Sequence, residues 1–433
     1  GWEDALQLLA EKLKGAGEGK LGILASPSAT VEEHYLLARL AEALGSANID
    51  HRLRRRDFAD QDHDPVFPWL GCDIADLEKQ KALLVVGSNL RREAPIIAHR
   101  VRKAALAGAR VAFVNEGRYD YYFAIADYLA DAAMQDELAA IAVAAAAGGK
   151  LPATVAALCD GVKPGDPHKR VAAMLADAGA GLVLLGQLAE RDPRYSAVRA
   201  LAAAIADLTG VSIGYLSEGA NSAGAHLAGA LPHRTAGAAA RGESGTDAGR
   251  MLDDRLDAML LFGVEPDRDL PAERDAVKKL SQQNFVAAMT PFVSAGLVEA
   301  AGLLLPIGTF AETAGTYVNC EGRWQGFSGV ASPVGEARPG WKVLRVLGNL
   351  AALDGFEYLT SEEVCNELRE IVGDVEPDNR YSGSAPLRAS GNGAGSPAAT
   401  DVPMYEIDAI VRRATALQLT AEAQRARNEG SAA

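Results

Sequence analysis

Val86-Gly87-Ser88-Asn89-Leu90-Arg91-Arg92-Glu93-Ala94-Pro95 and Phe262-Gly263-Val264-Glu265-Pro266-Asp267-Arg268-Asp269-Leu270-Pro271 read as two versions of one turn. In each, a glycine closes an apolar run. A hydrogen-bonding side chain follows two residues later (Asn89, Glu265), an arginine five later (Arg92, Arg268) and a proline eight later (Pro95, Pro271). Glycine lets the backbone turn sharply, and proline preorganises the first turn of a helix whose free N–H groups attract anions. In open parallel sheets such turns sit at the carboxyl ends of strands, where ligands bind. The repeat predicts two related α/β sub-domains. It leaves open whether the turns still bind anything or only serve tight strand-to-helix connections.

Working outward, apolar runs at 21–26, 81–86 and 110–114 read as strands, with helical spacing at 30–44 and 95–106 between them. Thr30 suits an N-cap, and Gly45 and Gly108 suit helix stops. The grammar returns at 181–185, 211–215, 258–262 and 284–289, with a helix over 195–208. Alternating strands and helices predict parallel sheets with helices on both faces. The chain divides on this reading into a first α/β sub-domain (1–150), a helical connection (151–180) and a second α/β sub-domain (181–307). A hairpin or loop with helices at 341–353 and 361–372 closes the core (308–376). A Ser-, Gly- and Pro-rich flexible linker (377–404) and a C-terminal docking helix (405–433) follow.

The 433 residues carry 43 Lys and Arg against 57 Asp and Glu, a formal charge of −14, which argues against nucleic acid as a partner. The longest apolar run, 138–147, falls short of the roughly 18–20 residues of a membrane span. The chain opens on Gly-Trp-Glu-Asp with no secretion signal and reads as a piece of a longer polypeptide. Cys72, Cys159, Cys320 and Cys365 are too scattered for a zinc ribbon or an iron–sulfur cluster, so reduced cysteines are expected.

Other constellations are weak. The acidic loop 57–64 lacks the glycine and terminal glutamate of a calcium loop and reads as a solvated face, with the basic run 51–56 as its complement. His51, His63 and Cys72 have no familiar metal-ligand spacing. Gly242-Glu-Ser-Gly245 is not a nucleophile elbow, and Gly22, Gly87 and Gly263 each stand alone rather than in Gly-x-Gly-x-x-Gly. No catalytic residue and no metal ligand is assigned. The densest polar cluster, Glu312, Thr316, Tyr317, Asn319, Glu321 and Arg323, reads as a hydrogen-bonded hairpin or as part of a small-molecule cleft.

With these residues in view, the chain resembles the molybdopterin-dependent oxidoreductase superfamily, whose members carry turns of the Gly-x-Asn-Pro and Gly-Glu-Asn-Pro kind. Further likeness lies in Glu33-His-Tyr-Leu-Leu-Ala-Arg-Leu40 with Gly45 and Asn48-Ile-Asp50, in Asn221-x-x-Gly224 with Gly229 and Pro232, and in Glu312-Thr-Ala-Gly-Thr-Tyr-Val-Asn319 running into Glu321-Gly-Arg323. Within the superfamily it is most similar to the large iron–sulfur subunits of respiratory complex I, through 218–225, Leu231-Pro-His-Arg234 and the tail 405–418. The resemblance implies a pterin-dinucleotide cleft built from Gly87, Ser88, Asn89, Gly263, Glu265, Asn221, Gly315, Asn319 and Arg323.

Three departures imply that this cleft is vestigial. Arg56 stands where relatives place the molybdenum ligand, Leu227 where they have aspartate, and Leu90 where they have proline. Neither Cys nor Ser occurs between Ile49 and Gly71. The resemblance then implies a scaffold within NADH-to-quinone electron transfer, with no cofactor here, molybdopterin ancestral and lost, and iron–sulfur clusters upstream. Partners would be other peripheral-arm subunits, on the cytoplasmic side of the inner membrane and without membrane insertion. The alternatives are a fragment of a catalytic, formate dehydrogenase-like enzyme and a pterin- or nucleotide-binding module.

Overall fold

The structure, a computed structural model, describes residues 1–271, 275–383, 405, 407–421 and 423–424. They form two compact units: 1–54 with 218–377, and 55–217 with the described residues after 377. In chain order the strands are β1 (Leu21–Ala25), β2 (Ile49–Asp50), β3 (Ala82–Val86), β4 (Arg110–Val114), β5 (Asp127–Leu129) and β6 (Gly181–Leu185). They continue with β7 (Ser212–Tyr215), β8 (Ala258–Phe262), β9 (Val286–Thr290), β10 (Leu303–Pro306), β11 (Gly315–Val318) and β12 (Trp324–Phe327). The longer helices are α1 (Trp2–Lys14), α2 (Val31–Ala43), α3 (Pro95–Leu106), α4 (Met134–Ala146), α5 (Asp166–Ala176) and α6 (Tyr195–Thr209). After them come α7 (Ser222–Leu227), α8 (Gly340–Leu350) and α9 (Ser361–Val372).

In the first unit five parallel strands lie in the order β10-β9-β8-β1-β2. Leu21 pairs with Ala258 and Ala25 with Phe262, so β1 and β8 run level and end together. Every residue of both is buried, which demands cover on both faces of the sheet. Thr30 caps α2 as its sequence predicts: its hydroxyl accepts the Glu33 N–H, and the Glu33 carboxylate accepts the Thr30 N–H. The antiparallel hairpin β11-β12 belongs to the same unit.

The second unit has its own parallel sheet, in the order β5-β4-β3-β6-β7. The Ala-rich helices α4, α5 and α6 pack together and join the strands in one apolar core, in which Leu84, Val86, Leu138, Val171, Val198 and Leu201 are buried. Alanine permits this close approach of helices to strands.

Three features of the sequence-based map are corrected. β1 and β2 pair with β8 and not with β3, so 1–150 is not one sub-domain and 181–307 is not another. Parallel strands pair through distant crossovers, and local periodicity does not reveal which neighbour a buried strand takes. The helical stretch 151–180 lies inside the second unit, between strands of one sheet, and connects no two sheets. In the tail the described residues form a short 3₁₀ turn, Val411–Arg413, and a short helix, Thr415–Gln418, in place of one docking helix. Most of the expected linker, 384–404, and residues 425–433 lie outside the described residues. The helix expected at 341–353 ends at Leu350.

Candidate functional site

Each sheet has a place where the strand order reverses, and each repeated turn stands there. In the second unit the reversal falls between β3 and β6. Gly87 closes β3 with φ +61°, and a Cβ on it would fall 2.3 Å from the Ala189 nitrogen. Only glycine lets the two turns meet backbone to backbone. In the first unit the reversal falls between β1 and β8, and Gly263 closes β8 with φ +65°. Open α/β sheets bind ligands at such switch points.

The turns match further than their glycines and prolines. A single helical turn follows at the same offset in each, Leu90–Glu93 and Pro266–Asp269, and each ends on a carboxylate that folds back. Glu93 accepts the Ser88 hydroxyl at 2.5 Å and the Gln187 N–H at 2.5 Å, bridging the turn after β3 to the one after β6. Burial pushes this carboxyl up to about 7, against the pull of its Ser88 and Gln187 hydrogen bonds. Asp269 accepts the Glu265 N–H at 2.8 Å and the Arg54 guanidinium at 2.9 Å, and Arg54 also pairs with Glu218. Sequence reasoning missed both carboxylates, although each stands six residues after its glycine.

The candidate residues fall into separate groups. Ser88 and Asn89 are buried beside Gly87, with the Ser88 N–H donated to the Asn115 side chain at 2.7 Å. Glu265 is buried beside Gly263. Asn221 and Gly315 come together at the turn between β1 and α2. Asn221 donates to the Ala29 carbonyl at 2.7 Å and accepts the Val318 N–H at 2.8 Å, while a Cβ on Gly315 would strike Thr30. Asn319 instead braces its own hairpin turn by accepting the Glu321 and Arg323 N–H groups, and the Arg323 side chain is exposed. The hairpin closes over the start of α2, with Thr316 N–H on Glu32 and the Tyr317 hydroxyl on the Ser28 carbonyl.

The arginine run 52–55 is locked into ion pairs. Burial alone would raise Asp50, but the Arg52 guanidinium, with bonds of 2.9 and 2.8 Å, brings it down to about 2. In the second unit Arg55 pairs with Asp60 and Asp64, and Arg199 from α6 joins the same two carboxylates. All four side chains are buried, which corrects the reading of 57–64 as a solvated face. Arg55 is the complement expected within 51–56; Arg199 was not legible, because it arrives from a distant helix.

Three histidines of the first unit stack edge to face in its interior. Ring centroids are 5.8 Å apart for His34 and His51, and 4.9 Å for His51 and His226. Both ring nitrogens of His34 and Nε2 of His51 lack a hydrogen-bond partner among the described residues. Burial holds His34 well below the usual imidazole value and lowers His51. No group of three or more His, Cys, Asp or Glu among the described residues is arranged to hold a metal. No described helix is long and apolar enough to cross a membrane.

Two parallel sheets with repeated turns at their reversals define an open α/β architecture, and residues 1–350 match the molybdopterin oxidoreductase family; the chain belongs to that family. Among individual relatives, it is 29% identical over 375 residues to the G subunit of NADH-quinone oxidoreductase from Streptomyces coelicolor, covering 77% of this chain and 42% of the relative. It is 29% identical over 354 residues to the corresponding protein of Mycobacterium bovis, covering 75% and 40%. The chain thus spans about two fifths of the length of these curated relatives. Acetylene hydratase from Pelobacter acetylenicus shares the fold, with a TM-score of 0.62, 16% identity and coverage of 84% of this chain and 60% of that one.

Proposed function

We propose that this chain is a structural part of a peripheral-arm subunit of NADH-quinone oxidoreductase, with no molybdenum chemistry of its own. One observation carries the reading. At both repeated turns a carboxylate of the turn occupies a backbone donor at the sheet's reversal: Glu93 takes the Gln187 N–H of the turn after β6, and Asp269 takes the Glu265 N–H of its own turn. A pterin-dinucleotide phosphate needs donors of that kind.

The donor set supports the same reading. Arg56 stands at the ligand offset, and no thiol or hydroxyl side chain of Cys or Ser lies between Ile49 and Gly71. The molybdenum–pterin group that the family implies therefore does not fit the residues present. A formate dehydrogenase-like activity needs that metal ligand, and a pterin- or nucleotide-sensing role needs the backbone donors that Glu93 and Asp269 occupy, so both are disfavoured.

In the whole polypeptide, electrons would pass from NADH towards quinone through iron–sulfur clusters bound upstream of this stretch. The partners would be other peripheral-arm subunits, at the cytoplasmic face of the inner membrane. Elemental analysis for molybdenum, tungsten and iron, with fluorescence of acid-released pterin on the same sample, tests the reading. Neither metal nor pterin is expected; stoichiometric metal with pterin would overturn it.

A further inference from the structure

In the first unit, α1, α8 with the segment leading into it and the loop before α9 line a groove of about 370 Å³. Leu6, Val346 and Leu359 give it an apolar lining, and Leu359 is 75% exposed. Arg338, Lys342 and Arg345 line it as well. Lys342 and Arg345 are three apart on α8 and so share a helix face.

None of these cations meets a carboxylate among the described residues. The Arg338 guanidinium lies 4.6 Å from the centroid of the Trp2 ring, and the Lys342 ammonium 5.4 Å from that of Trp341. The Nε of Arg345 is buried with no acceptor. The contrast within the unit is sharp, because Arg52 and Arg54 are fully engaged by acids. Three cations without carboxylates around an exposed apolar groove, in a chain of net charge −14, form a surface that calls for both carboxylates and apolar cover.

We propose that this groove docks a segment of a partner protein in which carboxylates flank one or two large apolar side chains. The inference rests on the scaffold reading above and names the chemistry of one partner. A second copy of the chain is a poorer occupant, because two bodies each carrying −14 repel.

The test uses the full chain and a short fluorescein-labelled peptide alternating Glu pairs with Leu and Phe, followed by anisotropy. The expected result is saturable binding that is absent when Lys replaces Glu in the peptide. Lys342→Glu and Leu359→Asp, at exposed positions, should each weaken binding about tenfold with an unchanged unfolding midpoint. Absence of saturable binding, equal binding of both peptides, or binding at the wild-type level by both variants would overturn the proposal. So would a peptide-free dimer, seen by sedimentation, that dissociates in Leu359→Asp, since the occupant would then be a second copy. The two readings fail separately. Metal with pterin sinks the scaffold whatever the peptide does, whereas a metal-free chain that ignores the peptide sinks only the groove.

Discussion

The Glu93 carboxylate accepts the Gln187 backbone N–H at 2.5 Å, tying the turn after β3 to the turn after β6 at the reversal of the second sheet. The bond lies at the switch point of the sheet, the place where open α/β proteins bind ligands. It also fixes how this acid must respond to substitution and to pH.

Glu93→Ala should destabilise the protein by about 1–3 kcal/mol, because a buried N–H and a buried hydroxyl lose their partner. Glu93→Gln should cost less, since its amide oxygen can accept from Gln187 while its NH₂ donates to Ser88, as a protonated glutamic acid would. The carboxyl is raised to about 7 from 4.5, so its stabilisation is fully present below pH 4.5 and is lost as pH rises towards 7. Urea unfolding of the wild type and Glu93→Gln across that window should show this slope removed in the variant.

His34 behaves oppositely. Its value is depressed by burial, so its stabilisation is present above about pH 6.5 and is lost as pH falls below it. Replacing an unpartnered buried imidazole with an apolar side chain removes a desolvation penalty. His34→Leu should therefore be neutral or stabilising by about 1 kcal/mol and should flatten the acid limb of a melting-temperature profile. A steeper acid limb would refute this account of the histidine stack.

Arg199→Ala should cost about 3–5 kcal/mol, because Asp60 and Asp64 would remain buried with only Arg55 between them. Arg199→Lys should recover little, since a point charge cannot reproduce the fork that reaches both carboxylates and the Asp60 carbonyl. Denaturant midpoints of the two variants decide this.

Asn221→Asp should loosen the hairpin β11-β12 more than its small change in size suggests. The amide donates to Ala29 and accepts from Val318, and a carboxylate would face the Ala29 carbonyl with no proton to offer. Hydrogen exchange at the Val318 amide should accelerate by at least about tenfold, corresponding to a loss of about 1.4 kcal/mol.

Much of the fold was legible because strands such as Arg110–Val114, Gly181–Leu185 and Ala258–Phe262 are short apolar runs between glycines and helices. The edge strands Ile49–Asp50, Asp127–Leu129 and Leu303–Pro306 were not, being too short to show a period. Pairing of β1 with β8 was hidden because both are buried on every side and so carry no register signal. Of the turns, Gly87 and Gly263 could be read from spacing alone. Glu93 and Asp269 matched in offset but differed in residue type, and their function emerges only when the side chain folds back on the turn.

β1, near the start of the chain, takes as its central neighbour a strand that begins only at Ala258. Until β8 is made, β1 has only β2 to pair with in this sheet, and a two-stranded pair is marginal in water. Every strand of the second sheet lies within 82–215 and can close before β8 is made. The first sheet is therefore the later of the two to be completed, and all the strands of the second fall within the interruption between β2 and β8.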